Sequence, residues 1–307
     1  MKIAIMGAGG VGGFYGGRMA RAGEEVTFIA RGEHLKAIQG NGLKVLSESL
    51  GDFEIPGAKA TDDPAEVGAV DLIWMTHKAY DLKQAAEAIR PMVGEDTVVI
   101  PLLNGLDNAE QIGAVVGMEH MMGAIVAMSA AIVEPGVIRH NSGDRFVFGE
   151  LAGGTSPRAE AIGKMLNDAG IPAELSRDIQ VDLWAKYLNL TASAGLSSLT
   201  RRTIGEVLGD PDTRELFVAC MKEVEALARK QGVALPEDIC EQTLTRYPPG
   251  AKTKPSMALD LERGRRLELD VFQGTAVRLG EQLGVPTPVN RLIYAALKLH
   301  KDGSPAG

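Results

Sequence analysis

The chain opens on KIAIMGAGGVGG, Lys2 to Gly13, and no other stretch restricts its fold as tightly. Ile3 to Met6 is a short apolar run. Gly7, Gly9 and Gly12 follow at G-x-G-x-x-G spacing, and a helix-compatible segment continues to Arg21. Strand, tight turn and helix in that order are the context in which this spacing reads as a dinucleotide fingerprint. Gly7 permits the turn, Gly9 lets the backbone approach a pyrophosphate with no side chain between, and Gly12 allows the helix to pack closely on the strand. The amides at the helix start then face the anion. Gly7, Ala8, Gly9, Gly10, Val11 and Gly12 are therefore the expected cofactor-binding turn; a glycine-rich turn without a ligand is the competing reading.

A chain of 307 residues is long for one core and suits two domains. Its formal net charge of -8 argues against nucleic-acid or anionic-membrane partners, which select basic faces. Cys220 and Cys240 have no metal-ligand spacing, so no metal is expected, and they read as buried or idle thiols of a reducing compartment. The longest weakly polar run, Met121 to Val133, is too short to span a bilayer. The amino terminus lacks the pattern of a signal peptide, because glycines interrupt its apolar run and Arg18 and Arg21 follow closely. A cytoplasmic location is expected.

Glu25 to Ala30 reads as a second strand. An acidic residue at its end would hold the ribose hydroxyls of NAD, whereas an arginine accommodates the extra phosphate of NADP. Here the strand runs into Ala30-Arg31-Gly32, so Arg31 is the candidate 2′-phosphate ligand and NADP the expected cofactor, with a solvated loop cation as the alternative. A helix over Glu33 to Gln39, strand pieces at Leu43 to Leu46 and Phe53 to Ile55, a buried strand at Asp71 to Thr76 and another at Thr97 to Leu103 follow. Alternation of this kind predicts a parallel sheet with helices on both faces, and ligands beyond the carboxyl ends of its strands. That rule puts Thr76 to Lys78 and Asn104 on the same rim as the glycine turn. On residues alone Lys78 reads equally as a surface cation, and Asn104-Gly105 as a simple turn. Further strands at Met122 to Ser129, Val137 to His140 and Arg145 to Gly149 are expected to extend the sheet antiparallel. A helix at Pro157 to Ala169 and a short strand at Ile171 to Leu175 close this half.

From Arg177 the periodicity is helical, with helices expected at Ile179 to Leu199, Asp212 to Gln231, Pro236 to Arg246, Leu267 to Leu283 and Val289 to His300. The expected fold is thus α/β: an amino-terminal Rossmann-type sheet domain over residues 1–176 and a carboxyl-terminal all-helical domain over 177–307. Lys186 sits within a mostly apolar helix, where an unpaired buried ammonium would be costly. Ser256 and Glu268 flank the basic cluster Arg263, Arg265 and Arg266. A snorkelling surface lysine and an ordinary helix carboxylate are the plainer readings of Lys186 and Glu268.

Taken together, GAGGVGG, Arg31 with His34-Leu35 and Asn41-Gly42-Leu43, Lys78-Ala79-Tyr80 and Asn104-Gly105 resemble the ketopantoate reductase (2-dehydropantoate 2-reductase) family. So do Trp184-Ala185-Lys186, Leu199-Thr200-Arg201 with Gly205-Glu206, Ser256-Met257 and Glu268 with Asp270, and the resemblance covers nearly the whole chain. It implies a Rossmann domain carrying NADPH, a helical domain closing over it, and reduction of a small 2-oxo acid to a 2-hydroxy acid, as in pantothenate synthesis. By position, Lys186 would be the general acid and Glu268 would orient it. Asn104 and Ser256 would contact substrate, and Lys78 would lie at the cofactor–substrate junction. A positioned lysine suits the reaction, because hydride delivery builds negative charge on the carbonyl oxygen and the ammonium both stabilises and protonates it.

One departure bears on the substrate. The family motif places asparagines one and two helical turns after the lysine, where this chain has Leu190 and Ala194. Residues i, i+4 and i+8 share a helix face, so both losses fall on one wall, and Asn189 lies about 100° away from that line. A less hydroxylated 2-oxo acid is the resulting alternative substrate, and a non-catalytic NADP-binding sensor is a second alternative. The chain is expected to work as a monomer or homodimer.

Overall fold

In strand β1 (Lys2–Met6), Ile3 and Ile5 enter one buried cluster with Phe14, Phe28 and Trp74, while Ala4 and Met6 enter another with Ile73, Met75 and Ile89. A strand covered on both faces loses the polar–apolar alternation of a half-exposed one, which is why this segment reads as a continuous apolar run. The computed structural model describes residues 1–78 and 82–303. They divide into two compact units, the first comprising Met1–Leu103 and Asp107–Asp182, the second Asn104–Leu106 and the residues from Leu183 onward.

The first unit continues with β2 (Glu25–Ile29), β3 (Leu43–Ser47), β4 (Phe53–Ile55), β5 (Lys59–Thr61), β6 (Val70–Met75) and β7 (Val93–Pro101). It ends with β8 (Gly123–Glu134), β9 (Val137–Gly149) and β10 (Ala173–Leu175). Helices α1 (Gly10–Arg21), α2 (Gly32–Asn41), α3 (Leu82–Ala88), α4 (Asn108–Val116) and α5 (Pro157–Asp168) connect them. One sheet is wholly parallel, ordered β5-β2-β1-β6-β7. Its chain order reverses between β1 and β6, which makes that crevice the topological switch point where such sheets hold ligands. Ala79 and Tyr80 of the Lys78-Ala79-Tyr80 motif lie outside the described residues.

Two expectations for this unit need correction. The strands after Met122 do not extend the parallel sheet. They build a second one, in which β9 pairs in parallel with β3 and β10 and in antiparallel fashion with β8. Nor does β9 break between His140 and Arg145, although Asn141, Ser142, Gly143 and Asp144 interrupt its apolar pattern. Ladder hydrogen bonds belong to the backbone, so polar side chains and irregular register around Ser129 leave the pairing in place. Strand β5 was invisible in the sequence, being three residues long and polar.

Helix α6 (Ile179–Thr200) crosses from the first unit into the second. There follow α7 (Ile204–Gly209), α8 (Pro211–Lys230), α9 (Ile239–Leu244), α10 (Ser256–Glu262), α11 (Thr275–Leu283) and α12 (Pro288–Leu297). The described residues of this unit contain no strand. Helix α7 begins in a capping box: Thr203 accepts from the Glu206 amide and Glu206 accepts from the Thr203 amide. A Cβ on Gly205 would stand 2.3 Å from the Ala251 amide nitrogen, so the Pro-, Gly- and Lys-rich loop over residues 247–255 can seat only against a glycine there. Glu223 on α8 accepts from the Val289 and Asn290 amides, neutralising unpaired donors in the first turn of α12. The expected regular helix from Leu267 to Leu283 is instead a π-helical turn, Asp270–Gly274, leading into α11.

Candidate active site

Within the first unit, a cavity of about 260 Å³ lies at the switch point, lined by Met6, Gly7, Ala8, Gly9, Ile29, Ala30, Arg31, His34, His77, Gln84, Ala85 and Ile132. Each fingerprint glycine has a distinct reason to be there. Gly7 has φ +110°, outside the range that other L-residues tolerate, and a Cβ on it would stand 2.9 Å from the His77 amide nitrogen. A Cβ on Gly12 would lie 2.3 Å from the Gly7 carbonyl and 2.4 Å from the Thr76 hydroxyl. A Cβ on Gly9, by contrast, would meet nothing within 4 Å. Gly7 and Gly12 answer to the protein's own packing, and Gly9 keeps the lining of the cavity bare.

The turn's carbonyls are all engaged. Met6 O accepts from the Thr76 amide at 3.0 Å, and Gly7 O from the Thr76 hydroxyl at 2.6 Å. Gly9 O accepts from the Gly13 amide at 2.7 Å. Ala8 O lies 2.8 Å from His34 Nε2, while the Gly136 amide donates to His34 Nδ1 at 3.0 Å. With its carbonyls so held, the turn presents amides: those of Gly10, Val11 and Gly12 have no acceptor in the helix that they begin. Such donors, a bare glycine and the exposed Arg31 at the start of α2 suit a dinucleotide, and among the described lining residues there is no carboxylate. The residues present therefore fit the nucleotide that the fingerprint implies.

In the second unit, Lys186 and Glu268 face one another electrostatically. Burial pushes the Lys186 ammonium down from 10.5 to about 8, and the Glu268 carboxylate offsets part of that shift. Glu268 is only 5 % exposed. Asn104, which belongs to this unit, has its Nδ2 3.4 Å from Glu268 Oε2, a long contact. Two bonds from α6 hold the π-helical turn that follows Glu268: Tyr187 OH donates to Phe272 O at 2.5 Å, and Gln273 Nε2 donates to Thr191 O at 2.7 Å. Tyr187 is the neighbour of Lys186, so the segment carrying the lysine also fixes the segment after the carboxylate. Single-turn π-helical insertions recur at functional sites.

Of the residues singled out in the sequence, Gly7, Ala8, Gly9 and Arg31 line one cavity, with Gly10, Val11 and Gly12 in the helix turn behind them. Lys186, Glu268 and Asn104 form one group in the second unit. Lys78 is exposed beyond the end of β6, and Ser256 is the exposed first residue of α10; neither lines the cavity. Asp270 accepts from Tyr294 OH at 2.8 Å and pairs with Lys301 at 3.2 Å, which ties α12 and the chain after it to the π-helical turn. Asn189 accepts from Tyr247 OH at 2.6 Å. Leu190 is half-buried and Ala194 fully buried. The sequence puts His77 on this rim with Thr76 and Lys78, but does not mark His34, Gln84 and Ile132 as lining residues. His34 carried the one available signal, a histidine three residues after the arginine at a strand end, and Ile132 carried none because its strand belongs to the unforeseen second sheet.

Residues 3–153 match the family described as Ketopantoate reductase PanE/ApbA, and residues 178–301 match its carboxyl-terminal counterpart. The 2-dehydropantoate 2-reductase of Mesorhizobium japonicum is 30% identical over 97% of this chain and 97% of its own. The crystal structure of a PanE/ApbA family ketopantoate reductase from Ralstonia eutropha JMP134 superposes with a TM-score of 0.89 at 33% identity, covering 98% of each chain. A D-mandelate dehydrogenase solved with NADH and anilino(oxo)acetate shares the fold with a TM-score of 0.89 at 23% identity, again over 98% of each chain. A nucleotide-fitting glycine turn and a buried lysine–glutamate pair, on a chain matched along nearly its whole length, make this protein an oxidoreductase of the ketopantoate reductase family.

Proposed function

We propose that the protein reduces a small 2-oxo acid to its 2-hydroxy acid with NADPH, and that ketopantoate is its substrate, as the name of the Mesorhizobium relative indicates for that enzyme. The observation that carries the chemistry is the buried Lys186 ammonium, brought to about 8 and set against Glu268. Bound nicotinamide supplies the hydride to the carbonyl carbon. Lys186 Nζ polarises the carbonyl oxygen, gives its proton to the oxygen as negative charge develops, and leaves as a neutral amine that solvent reprotonates. Glu268 favours the charged form of the lysine, and Asn104 bears on Glu268. A proton donor with a pKa near the working pH is both populated and willing to transfer, which an ordinary lysine is not.

Arg31 supports NADPH over NADH, since it stands at the end of β2 where a ribose-binding carboxylate would otherwise be. Lys78 and Ser256 are proposed to meet substrate on account of their motif positions. A cytoplasmic setting agrees with two free buried cysteines. Among the described residues no helix is long and apolar enough to cross a membrane, and no group of three potential metal ligands occurs.

Leu190 and Ala194 favour a second reading, in which the substrate is an apolar 2-oxo acid. One and two turns beyond Lys186 they offer carbon where amides would bond a hydroxylated substrate, and a site lacking such partners gains little from the hydroxyls. Turnover of ketopantoate against phenylglyoxylate and branched aliphatic 2-oxo acids, each with NADPH, separates the two. A strong ketopantoate preference rejects the apolar reading; preference for the others, shifted toward ketopantoate by Leu190→Asn, rejects the first. Failure to oxidise NADPH with any 2-oxo acid, cofactor binding being intact, would favour a sensor instead.

A further inference from the structure

We propose that His34 is a positioning residue for the cofactor turn: a neutral imidazole, protonated at Nε2, that holds the Ala8 carbonyl away from the phosphate site. The proposal rests on the reading of the first-unit cavity as the dinucleotide site. Both ring nitrogens are committed. Gly136 N–H can only donate, so Nδ1 must accept, and the single proton of the neutral ring is therefore on Nε2, directed at Ala8 O. The ring spans two segments far apart in sequence, the fingerprint turn and the tip of the β8–β9 hairpin.

That bond matters because of what surrounds it. Thr76 secures the Met6 and Gly7 carbonyls from the β6 side, and the start of α1 secures Gly9 O. Ala8 O is reached from α2, through His34. The next residue is Gly9, whose lack of a Cβ removes steric resistance to rotation of the Ala8–Gly9 peptide. A rotated peptide would turn a carbonyl oxygen toward the cavity, where the anion is to bind amides. The hairpin end of the bridge is also part of the site: Ile132, four residues before Gly136, lines the cavity, and a Cβ on Gly10 would stand 2.2 Å from the Ala130 carbonyl of the same strand. His34 therefore sets the turn and one wall of its cavity from a single ring.

Glutamine carries a donor and an acceptor at a separation close to that of the two imidazole nitrogens, so His34→Gln can keep both bonds, whereas His34→Ala loses both. NADPH affinity is measured by fluorescence titration for full-length wild type and both variants, alongside hydrogen exchange of the Gly9 and Gly13 amides in ligand-free protein. We expect His34→Ala to weaken NADPH binding about tenfold, the effect of two ordinary hydrogen bonds. Exchange in the turn should accelerate in that variant, and His34→Gln should restore both properties. Wild-type affinity and exchange in His34→Ala overturn the proposal, as does a His34→Gln variant that is folded and equally impaired. Should wild type bind neither NADPH nor NADH, the dinucleotide reading falls. Positioning of the turn by His34 is then judged on exchange alone, upheld if His34→Ala accelerates it and His34→Gln does not, and overturned otherwise.

Discussion

The glycine turn of the first unit and the Lys186–Glu268 pair of the second answer to opposite physical demands. The turn offers backbone rather than side chains, and at Gly7 and Gly12 the missing side chain is enforced by neighbours such as the Gly7 carbonyl, 2.3 Å from where a Gly12 Cβ would stand, whereas Gly9 is open toward the cavity. The pair is side-chain chemistry, with burial moving Lys186 from 10.5 to about 8 and Glu268 offsetting part of that shift, and in the proposed mechanism its reactivity comes from that placement. A backbone site should therefore break when atoms are added and a side-chain site when they are removed.

The largest effect expected from this contrast is that of Gly12→Val. Its added carbons would meet Gly7 O, Thr76 Oγ1 and Ile5 Cγ2, all closer than 3 Å to the first of them. Overpacking of this kind costs about 1–3 kcal/mol of stability. Calorimetric unfolding should show that loss, and dinucleotide binding should be undetectable by titration. A Gly9→Ala variant, whose Cβ touches nothing in the protein, should keep its melting temperature and lose affinity alone.

The pH dependence of turnover is next in size. In the proposed mechanism reduction consumes the Lys186 proton, so the ammonium must be present. Its pKa is lowered, hence the active form prevails below about 8 and the rate of 2-oxo acid reduction falls roughly tenfold per pH unit above that value. Hydroxy-acid oxidation, which needs the neutral amine, should rise through the same range. Opposite limbs crossing near pH 8 would sharpen the assignment, and a reduction rate that stays level to pH 10 would break it.

Arg31→Ala is the smallest of the three. Arg31 is exposed, so its charge is screened by solvent, and its loss should cost NADPH about tenfold in affinity while leaving NADH unchanged. Equal effects on both cofactors would remove it from the 2′-phosphate site.

The same contrast explains what could be read from the residues alone. A backbone site leaves its mark in sequence, because turn geometry and close packing admit glycine and little else; GAGGVGG and the apolar runs of β1, β6 and β7 announced the parallel sheet. A side-chain site leaves almost none. Lys186 is one lysine on a helix, and neither its depressed pKa nor its facing of Glu268, 82 residues away, follows from local pattern. The resemblance to a family supplied those residues and Asn104, and the fold added that Asn104 belongs to their unit. The second sheet was hidden because β9 is held by ladder hydrogen bonds through a polar stretch, and the π-helical turn because distant side-chain bonds hold it to α6, from Tyr187 OH to Phe272 O and from Gln273 Nε2 to Thr191 O. His34 shows the limit most plainly: its two partners, Ala8 and Gly136, are 26 residues before it and 102 after it.

The central claim, that Lys186 delivers the proton that completes hydride transfer, is tested most directly by the rate of NADPH oxidation in Lys186→Met at saturating NADPH and 2-oxo acid. Methionine approximates the length of the half-buried lysine side chain and removes the ammonium. General acids of this kind contribute about 10²–10⁴-fold, so a fall of that size is expected, with NADPH affinity unchanged. A variant that oxidises NADPH within a few-fold of wild type would contradict the claim and place the proton elsewhere.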